Sequence, residues 1–351
     1  MARYQIIGEI GSGGMATIYE ATRRCGDLDQ VVAIKHILPE LRTDESIRAR
    51  FRQEAEFCMQ LAHPNIVRAY DLDADDKKDL IIVMERVDGV SLENLAAQVE
   101  LTPPVIRLIL AHLLRGLAHV HGQGILHRDI SPKNILISRN GDVKLADFGL
   151  AKRIDSPCTE PGFKGTAAYA SPAVIQTGEG DVYSDLYSLA AVGYWMLTKT
   201  PPYFHGHLMQ IVRRMSLGSI PPLPEATPAD LRGLITSLLH YMKERIFHSA
   251  EQAEAALMQD TEPMASPEEL GTLVRQAMNQ DLPADEQPDM ERAETRQVKQ
   301  AASRHPERAD VPHRAHTWQY KQLLLITAIW LGAISTVALW MQCGSTRPGP
   351  S

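Results

Sequence analysis

The fold of this chain is decided by the stretch His127-Arg128-Asp129-Ile130-Ser131-Pro132-Lys133-Asn134, together with Asp147-Phe148-Gly149 a short distance downstream. Either stretch alone says little, because an aspartate can simply cap a turn and a three-residue motif is common by chance. Their meaning comes from three further elements, which precede them in the sequence at intervals that fit strands and helices.

The first of these elements is a glycine-rich segment, GSGGMATI at 11–18, which follows a predicted first strand. Alone, it would indicate an ordinary hairpin turn. The second is an apolar strand, 32–34, that ends in Lys35, and a buried cation needs a partner of opposite charge. The third is Glu54, on a predicted helix with apolar residues at helical spacing. The order of the five elements is what rules out a chance arrangement.

With these motifs, residues 4 to about 260 resemble the protein kinase catalytic domain, most closely the bacterial eukaryotic-like (Hanks-type) serine/threonine protein kinases. The likeness extends to HPNIV at 63–67, a hinge at 82–89 and SDLYSL at 184–189. It implies an α+β, bilobal fold. The small β-rich N-lobe with one large helix would cover about 4–87, and the larger, mainly helical C-lobe about 88–260.

The resemblance also implies a nucleotide and a metal ion, ATP and Mg²⁺. Glycines let backbone amides approach phosphates, and Mg²⁺ is a hard cation that prefers oxygen ligands. The matching metal ligands are Asn134 and Asp147. The positions matching the nucleotide site, with Met84 as gatekeeper, are Ile10, Gly11, Ser12, Gly13, Gly14, Met15, Ala16, Thr17, Ile18, Ala33, Lys35, Met84, Glu85, Val87 and Leu136. By the same resemblance, the backbone of Glu85 and Val87 would hydrogen-bond the adenine edge, and Ile18, Ala33 and Leu136 would contact the faces of the ring.

Catalytic roles follow from the same match, because phosphoryl transfer depends mainly on positioning and charge neutralisation. Asp129 matches the residue that accepts or orients the proton of the attacking hydroxyl. Lys35, held by Glu54, matches the cation on the α- and β-phosphates. Thr166 matches a threonine that contacts the catalytic aspartate in serine/threonine kinases, so we expect Ser/Thr acceptors.

The chain departs from the family pattern at three positions. Ala16 replaces the third glycine of the loop, which we expect to stiffen it slightly. Ser131 stands where a lysine usually neutralises the γ-phosphate, and we expect Lys133 to take over that role. Ala173 replaces the glutamate of the usual Ala-Pro-Glu, so the family's ion pair with a late arginine, Arg245 here, cannot form.

Arg128 matches an arginine that clamps a phosphorylated activation segment in similar kinases. We therefore expect autophosphorylation, with Ser156, Thr159 and Thr166 as candidate acceptors. The alternative is that Ser156 and Thr159 are ordinary turn residues beside prolines.

The composition changes after residue 260. A capping-box start at Ser266 predicts one short helix to about Gln280. Residues 281–316 then contain one leucine and no Phe, Tyr, Trp or Ile, too little apolar surface to offset the entropy of ordering. We interpret 261–320 as a juxtamembrane linker that is largely flexible.

Residues 323–341 are 19 consecutive residues without a charge. As a helix they would span roughly 28 Å, close to a hydrocarbon core of ~30 Å. Four basic residues precede this segment (Arg304, Arg308, Arg314 and Lys321) and only Arg347 follows it, so the positive-inside rule places the N-terminal bulk in the cytoplasm. We predict a single-pass protein of the cell inner membrane, with 342–351 as a short extracytoplasmic tail.

The function expected from the sequence is a membrane-anchored serine/threonine protein kinase of bacterial signalling that acts on proteins, itself included. A pseudokinase that serves as an ATP-binding scaffold is the main alternative, motivated by Ala16, Ser131 and Ala173. A small-molecule kinase fits less well, because the segment around 165–172 matches a protein-substrate platform. The net charge of −7 gives no basic field for nucleic acid, and a dimer for trans-autophosphorylation is possible.

Overall fold

In the computed structural model, the residues described are 3–25, 28–75, 79–155, 165–203, 211, 213–215, 220–240, 246–259 and 262–279. They all belong to one compact unit, which runs to Asp281. Its N-terminal part is a sheet with one helix, and the rest is mainly helical. This is the bilobal arrangement that the sequence predicts.

The N-terminal lobe is an antiparallel five-stranded sheet with the strand order β1-β2-β3-β5-β4. Alternate residues of β3 and its neighbours fill a small apolar cluster on one face, as the period-two pattern of a strand requires. The strands are β1 (Tyr4–Ser12), β2 (Ala16–Cys25), β3 (Leu28–Ile37), β4 (Ala69–Ala74) and β5 (Leu80–Glu85).

Helix α1 (Glu45–Gln60) packs on this sheet. Asp44 caps it, since its carboxylate accepts hydrogen bonds from the backbone amides of Ser46 at 2.9 Å and Ile47 at 3.2 Å. Phe51, Ala55, Phe57 and Cys58 form its buried apolar face, and Glu54 lies buried among them. The helix therefore brings a carboxylate into the interior beside the sheet.

The second lobe is built around α3 and α5. Most positions of both helices are buried, as expected of helices that are apolar on all sides and lie within a core. Asp181 and Ser184 form a reciprocal cap that starts α5. Among the described residues, the α-helices of this lobe with defined bounds are α2 (Leu92–Gln98), α3 (Pro103–Gly122), α4 (Pro172–Thr177), α5 (Val182–Thr198), α6 (Ala229–Leu239), α7 (Ala250–Gln259) and α8 (Pro267–Asn279).

Short strands frame the segments that carry the motifs. One antiparallel sheet has the order β6-β8-β9 and another pairs β7 with β10. The segment 127–134 lies between β7 and β8, and 147–149 follows β9. These strands are β6 (Gly89–Ser91), β7 (Ile125–Leu126), β8 (Ile135–Ser138), β9 (Val143–Leu145) and β10 (Lys152–Arg153).

The packing of helix α8 shows that the folded domain extends beyond its predicted end at about residue 260. Its capping box is confirmed: Glu269 N donates to Ser266 Oγ at 3.2 Å, and Ser266 N donates to Glu269 Oε2 at 2.6 Å. The assignment of this segment to a linker that starts at 261 is wrong for 262–279. Leu270, Val274 and Ala277 are buried in the same apolar core as α3, so the helix is part of the folded unit.

A buried ion pair holds the segment that leads into α8. Arg107 of α3 is 2% exposed, and its Nε donates to Asp230 Oδ2 at 2.7 Å. The same guanidinium donates to the carbonyl oxygen of Pro263, and Ala265 N donates to Pro104 O at 3.1 Å. The start of α3 therefore supports both α6 and the connection to α8.

Several predictions lie outside the described residues. These are the membrane span 323–341, the remainder of the linker and the tail, Arg245, and the acceptors Ser156 and Thr159. Within the part of the chain that is described, no helix combines the length and apolarity needed to cross a membrane.

Candidate active site

Three charged side chains meet where β3, α1 and the segment after β9 converge. Lys35 Nζ donates to Glu54 Oε1 at 2.5 Å and to Asp147 Oδ1 at 3.0 Å. The Lys35 and Glu54 side chains are 11% and 6% exposed, whereas that of Asp147 is 48% exposed. The structure therefore places Lys35 against Glu54, as the sequence predicts, and leaves Asp147 facing the open side of the cluster.

Each group in this cluster affects the charge of its neighbours. Burial opposes the charge of Lys35, but the carboxylates of Asp147 and Glu54 raise its pKa above the ordinary lysine value. The Lys35 ammonium lowers the pKa of Asp147 to about 2. Burial raises the pKa of Glu54, and Lys35 opposes that rise. At neutral pH the cluster therefore presents a fixed cation and an ionised, half-exposed carboxylate.

Asp147 is held by unusual backbone geometry. Its φ is 62°, in the left-handed region that non-glycine residues seldom occupy and that is concentrated at functional sites. Gly149 N donates to Asp147 Oδ1 at 3.2 Å. A Cβ at Gly149 would lie 3.1 Å from that same oxygen and 3.4 Å from Glu54 Oε2. The glycine of Asp-Phe-Gly thus lets the chain turn tightly beside two carboxylates.

A second cluster surrounds Asp129, and both of its carboxylate oxygens are held. Asn134 Nδ2 donates to Asp129 Oδ2 at 2.9 Å and to the Asp129 carbonyl at 2.8 Å. Thr166 donates to Asp129 Oδ1 twice, from its backbone amide and from its hydroxyl, each at 3.0 Å. The structure therefore brings together Asp129, Asn134 and Thr166, which the sequence picks out from separate segments.

Asp185 belongs to the site but is not among the residues predicted from the sequence, because an acidic residue in the first turn of a helix is ordinary. Its carboxylate is buried and accepts hydrogen bonds from His127 N at 2.9 Å, Arg128 N at 2.8 Å and His121 Nε2 at 2.9 Å. Burial opposes its ionisation, but the hydrogen bond from His121 holds its pKa below the ordinary value. Asp185 thereby fixes the backbone that leads into Asp129, including Arg128 with its φ of 69°.

His127 is fully buried and has a structural role. Its Nε2 donates to the Ala146 carbonyl at 3.1 Å, and its Nδ1 accepts from Asp129 N at 3.3 Å. Its ring packs edge-on against Phe148, with the centroids 4.6 Å apart. The histidine thus joins the segment that carries Asp129 to the segment that carries Asp147.

The residues predicted to contact adenine lie on adjoining strands. Ala33 of β3 pairs with Met84 of β5, and Leu136 lies on β8. Glu85 N donates to Arg68 O at 2.8 Å, and the Val87 carbonyl accepts from the Arg86 guanidinium. The Glu85 carbonyl, at the end of β5, and the Val87 amide, two residues further on, are the acceptor and donor that the resemblance assigns to the adenine edge.

The glycine-rich segment forms the turn between β1 and β2, closed by a bond from Gly13 N to Ala16 O at 2.9 Å. A Cβ at Gly11 or at Gly14 would meet no heavy atom within 4 Å. Packing within the chain therefore does not require these glycines, and a ligand that needs the backbone amides gives a reason for them. Met15 and Ala16 line a small cavity with Lys35 and Glu54.

In the segment 127–134, Ser131, which departs from the family pattern, and Lys133, its expected replacement, have different surroundings. Ser131 is 1% exposed, and its Oγ has no hydrogen-bond partner among the described residues. Lys133 is exposed and lies in the 3₁₀ turn Pro132–Asn134, beside Asn134. Of these two residues, Lys133 therefore presents its polar group to solvent and Ser131 does not. Ala173 lies in the first turn of α4, where Ser171 provides the cap.

Comparison with known proteins agrees with this geometry. The protein kinase domain family matches residues 4–255. The serine/threonine-protein kinase PrkC of Bacillus subtilis is 35% identical over 256 residues, which are 72% of this chain and 39% of that protein. The serine/threonine-protein kinase PknL of Mycobacterium tuberculosis is 38% identical over 205 residues, 58% of this chain and 51% of that protein.

The bilobal fold and the two clusters are those of the protein kinase domain family, and the chain belongs to that family. The probable serine/threonine-protein kinase pknA2 of Bifidobacterium longum is also similar, at 39% identity over 207 residues. The matched region spans about half or less of the length of these curated relatives.

Proposed function

We propose that the protein is a serine/threonine protein kinase that transfers the γ-phosphoryl group of ATP to Ser or Thr hydroxyls of proteins. The observation that carries this proposal is the Asp129 carboxylate, which is oriented by Asn134 and Thr166 in a fold that also holds the intact Lys35–Glu54–Asp147 cluster. The pseudokinase alternative has no support in this geometry, since every one of these groups is present and engaged.

In the proposed reaction the acceptor hydroxyl attacks the γ-phosphorus. The bond from that phosphorus to the β–γ bridging oxygen breaks and ADP leaves, while the hydroxyl proton moves to Asp129. The two hydrogen bonds from Thr166 and the one from Asn134 hold the carboxylate in a single orientation for this step. Lys35 supplies a fixed positive charge for the phosphates.

The residues also fit a divalent cation. Asp147 is ionised and half-exposed, and Asn134 turns its amide nitrogen to Asp129, so its Oδ1 remains as an oxygen ligand. When bound, a hard cation such as Mg²⁺ would neutralise phosphate charge. We propose Mg²⁺ as that ion.

The test of the main proposal is phosphoryl transfer by the full chain, purified in mild detergent, from labelled ATP to a generic basic protein. Asp129→Asn should abolish transfer while a fluorescent ATP analogue still binds, because the substitution removes the proton acceptor and leaves the nucleotide contacts. Equal transfer by the two proteins would refute the enzyme assignment.

We further propose that the protein phosphorylates its own activation segment. The Thr166 hydroxyl is engaged with Asp129, which favours Ser156 and Thr159 as the acceptors. The test mixes active chain with Asp129→Asn chain and maps phosphate on the inactive one. Phosphate at Ser156 or Thr159 supports transfer between two copies, and an unmodified inactive chain would argue against it.

We also propose that residues 323–341 anchor the protein in the inner membrane with the kinase domain in the cytoplasm. The uncharged run and the basic residues before it support this proposal. Confinement to a surface would raise the effective concentration for a transient dimer. A membrane-impermeant maleimide should label Cys343 in spheroplasts, and Cys343→Ser should abolish the labelling. Labelling only after lysis would contradict this orientation.

A further inference from the structure

Helix α8 lies beyond the region that matches the protein kinase domain, which ends at residue 255, yet it contacts parts of the proposed nucleotide site. It packs against β6 and β8, and also against α2 and α3. Strand β6 begins two residues after Val87, and β8 carries Leu136. Both residues are expected to contact adenine, so the position of α8 bears on the pocket.

The contact between α8 and the β8–β9 turn is a backbone contact. A Cβ at Gly271 would lie 2.7 Å from the Arg139 carbonyl oxygen. Gly141 has a φ of +85°, and a Cβ there would lie 1.8 Å from the Pro267 carbonyl oxygen. Side-chain repacking cannot absorb a movement at such an interface, so a shift of α8 must move the turn with it.

Arg275 of α8 makes a polar contact between this helix and the β8–β9 turn. Its Nη1 donates to the Arg139 carbonyl at 2.6 Å, and its Nη2 donates to Glu268 Oε1 at 2.6 Å. Arg139 in turn is bound to the hinge. Its backbone amide donates to the Asp88 carbonyl at 2.8 Å, and its Nε lies 2.8 Å from Asp88 Oδ2.

Asp88 links this set of contacts to the proposed adenine pocket. Asp88 directly follows Val87, and β6 pairs with β8 so that Ser91 lies opposite Leu136. A Cβ at Gly89 would lie 1.9 Å from the Ile137 carbonyl oxygen, so these two strands also meet backbone to backbone. Arg275, Arg139 and Asp88 thus form a continuous path from α8 to the hinge.

We propose that Arg275 is a positioning residue for nucleotide binding: through Arg139 and Asp88, α8 fixes the spacing between the hinge and β8 that adenine requires. This inference rests on the proposed nucleotide site. It assigns a role in ATP affinity to a helix outside the matched kinase domain. A purely structural role for α8 would instead affect the free energy of unfolding and leave nucleotide affinity unchanged.

The chain offers a matched control. Arg275→Ala and Glu268→Ala both remove the exposed Arg275–Glu268 ion pair, but only Arg275→Ala removes the hydrogen bond to the Arg139 carbonyl, together with one to Thr272 Oγ1 within α8. With the full chain and a fluorescent ATP analogue, Arg275→Ala should weaken binding about 3- to 10-fold, the value of one hydrogen bond. Glu268→Ala should stay within about twofold, and Arg275→Lys, which keeps a donor, should restore most of the affinity. Equal affinities for Arg275→Ala and Glu268→Ala would overturn the proposal.

A second measurement needs no substitution. If α8 sets nucleotide affinity, bound nucleotide must stabilise α8 by the same coupling free energy, because coupling between sites is reciprocal. Amide hydrogen exchange in 270–277 of the wild-type chain should slow when the ATP analogue is bound. Unchanged exchange in a chain that binds the analogue would refute the inference alone, whereas a wild-type chain that binds no analogue would refute the nucleotide site itself.

Discussion

The Lys35 cluster (Lys35, Glu54 and Asp147) and the Asp129 cluster (Asp129, Asn134 and Thr166) hold their charged groups in different ways. In the first, a cation is shared between two carboxylates and two of the three side chains are largely buried. In the second, a carboxylate is held by an amide and a threonine, and no cation lies within ion-pair distance of it among the described residues. The first cluster fixes charge, and the second fixes orientation.

This difference matches the two tasks of phosphoryl transfer. Phosphate charge has to be neutralised, which a permanent cation does. A proton acceptor has to be aimed without being neutralised, because a close cation would lower its basicity. Substitutions should therefore separate the clusters. Charge changes in the first should lower activity strongly, and loss of one of the several hydrogen bonds that uncharged donors make to Asp129 in the second should lower it less.

Among the substitutions that test this comparison by changing a partner within a cluster, the largest effect is expected for Lys35→Met. It removes the cation and leaves Glu54 buried without its partner, so we expect turnover to fall about 10²- to 10³-fold, as when one electrostatic donor is lost. Stability should fall as well, because an unpaired buried charge remains. Steady-state rates and thermal unfolding check both effects. A rate within tenfold of wild type would mean that the cluster is structural.

Glu54→Gln is expected to have the next largest effect. The amide can still accept from Lys35 but removes the charge, so turnover should fall about 10- to 100-fold, the value of a hydrogen bond to a charged group. Glu56→Gln is the matched control, because Glu56 is exposed two residues further along the same helix. If both variants lose the same activity, the helix and not the ion pair is responsible.

Lys133→Ala tests whether the exposed Lys133 ammonium supplies the positive charge for the γ-phosphate that Ser131 cannot supply. We expect kcat to fall about tenfold, since the exposed ammonium would stabilise transition-state charge only partly screened from water. Lys133→Arg should keep most of the rate. A kcat equal to that of wild type in Lys133→Ala would show that Ser131 has no functional replacement at this position.

The smallest effect is expected for Thr166→Val. Valine loses only the hydroxyl bond to Asp129, so kcat should fall about 3- to 10-fold, because the bonds from the Thr166 backbone amide and from Asn134 still orient the carboxylate. Thr166→Ser, which retains the hydroxyl, should remain near wild type. A loss as large as that of Lys35→Met would erase the distinction between the two clusters.

Much of the site could be predicted from the sequence, because its residues occur in short motifs of fixed order. The pairing of Lys35 with Glu54 and the contact of Thr166 with Asp129 are examples. Asp185 could not be found in the same way. An acidic residue in the first turn of a helix is ordinary, and only the three-dimensional approach of α5 to His127 and Arg128 gives it a role.

The sequence predicts a helix at the position of α8 but does not predict how that helix packs. Its apolar positions Leu270, Val274 and Ala277 have helical spacing, yet the polar composition of 281–316 suggests a linker over the whole region. The signals that place it on the core are Gly271 and Gly141, whose missing side chains permit a backbone contact. Glycines outside turns of known type cannot be assigned to a partner from one sequence.

The anchoring of α8 through Arg107 has a practical consequence for recombinant production. A shortened protein that stops at residue 255, where the family match ends, would lose the Pro263 carbonyl that binds this buried guanidinium. It would also expose to solvent the apolar surface on which Leu270 and Val274 pack, which favours aggregation. Expression boundaries for a soluble catalytic fragment should therefore be placed after Asn279.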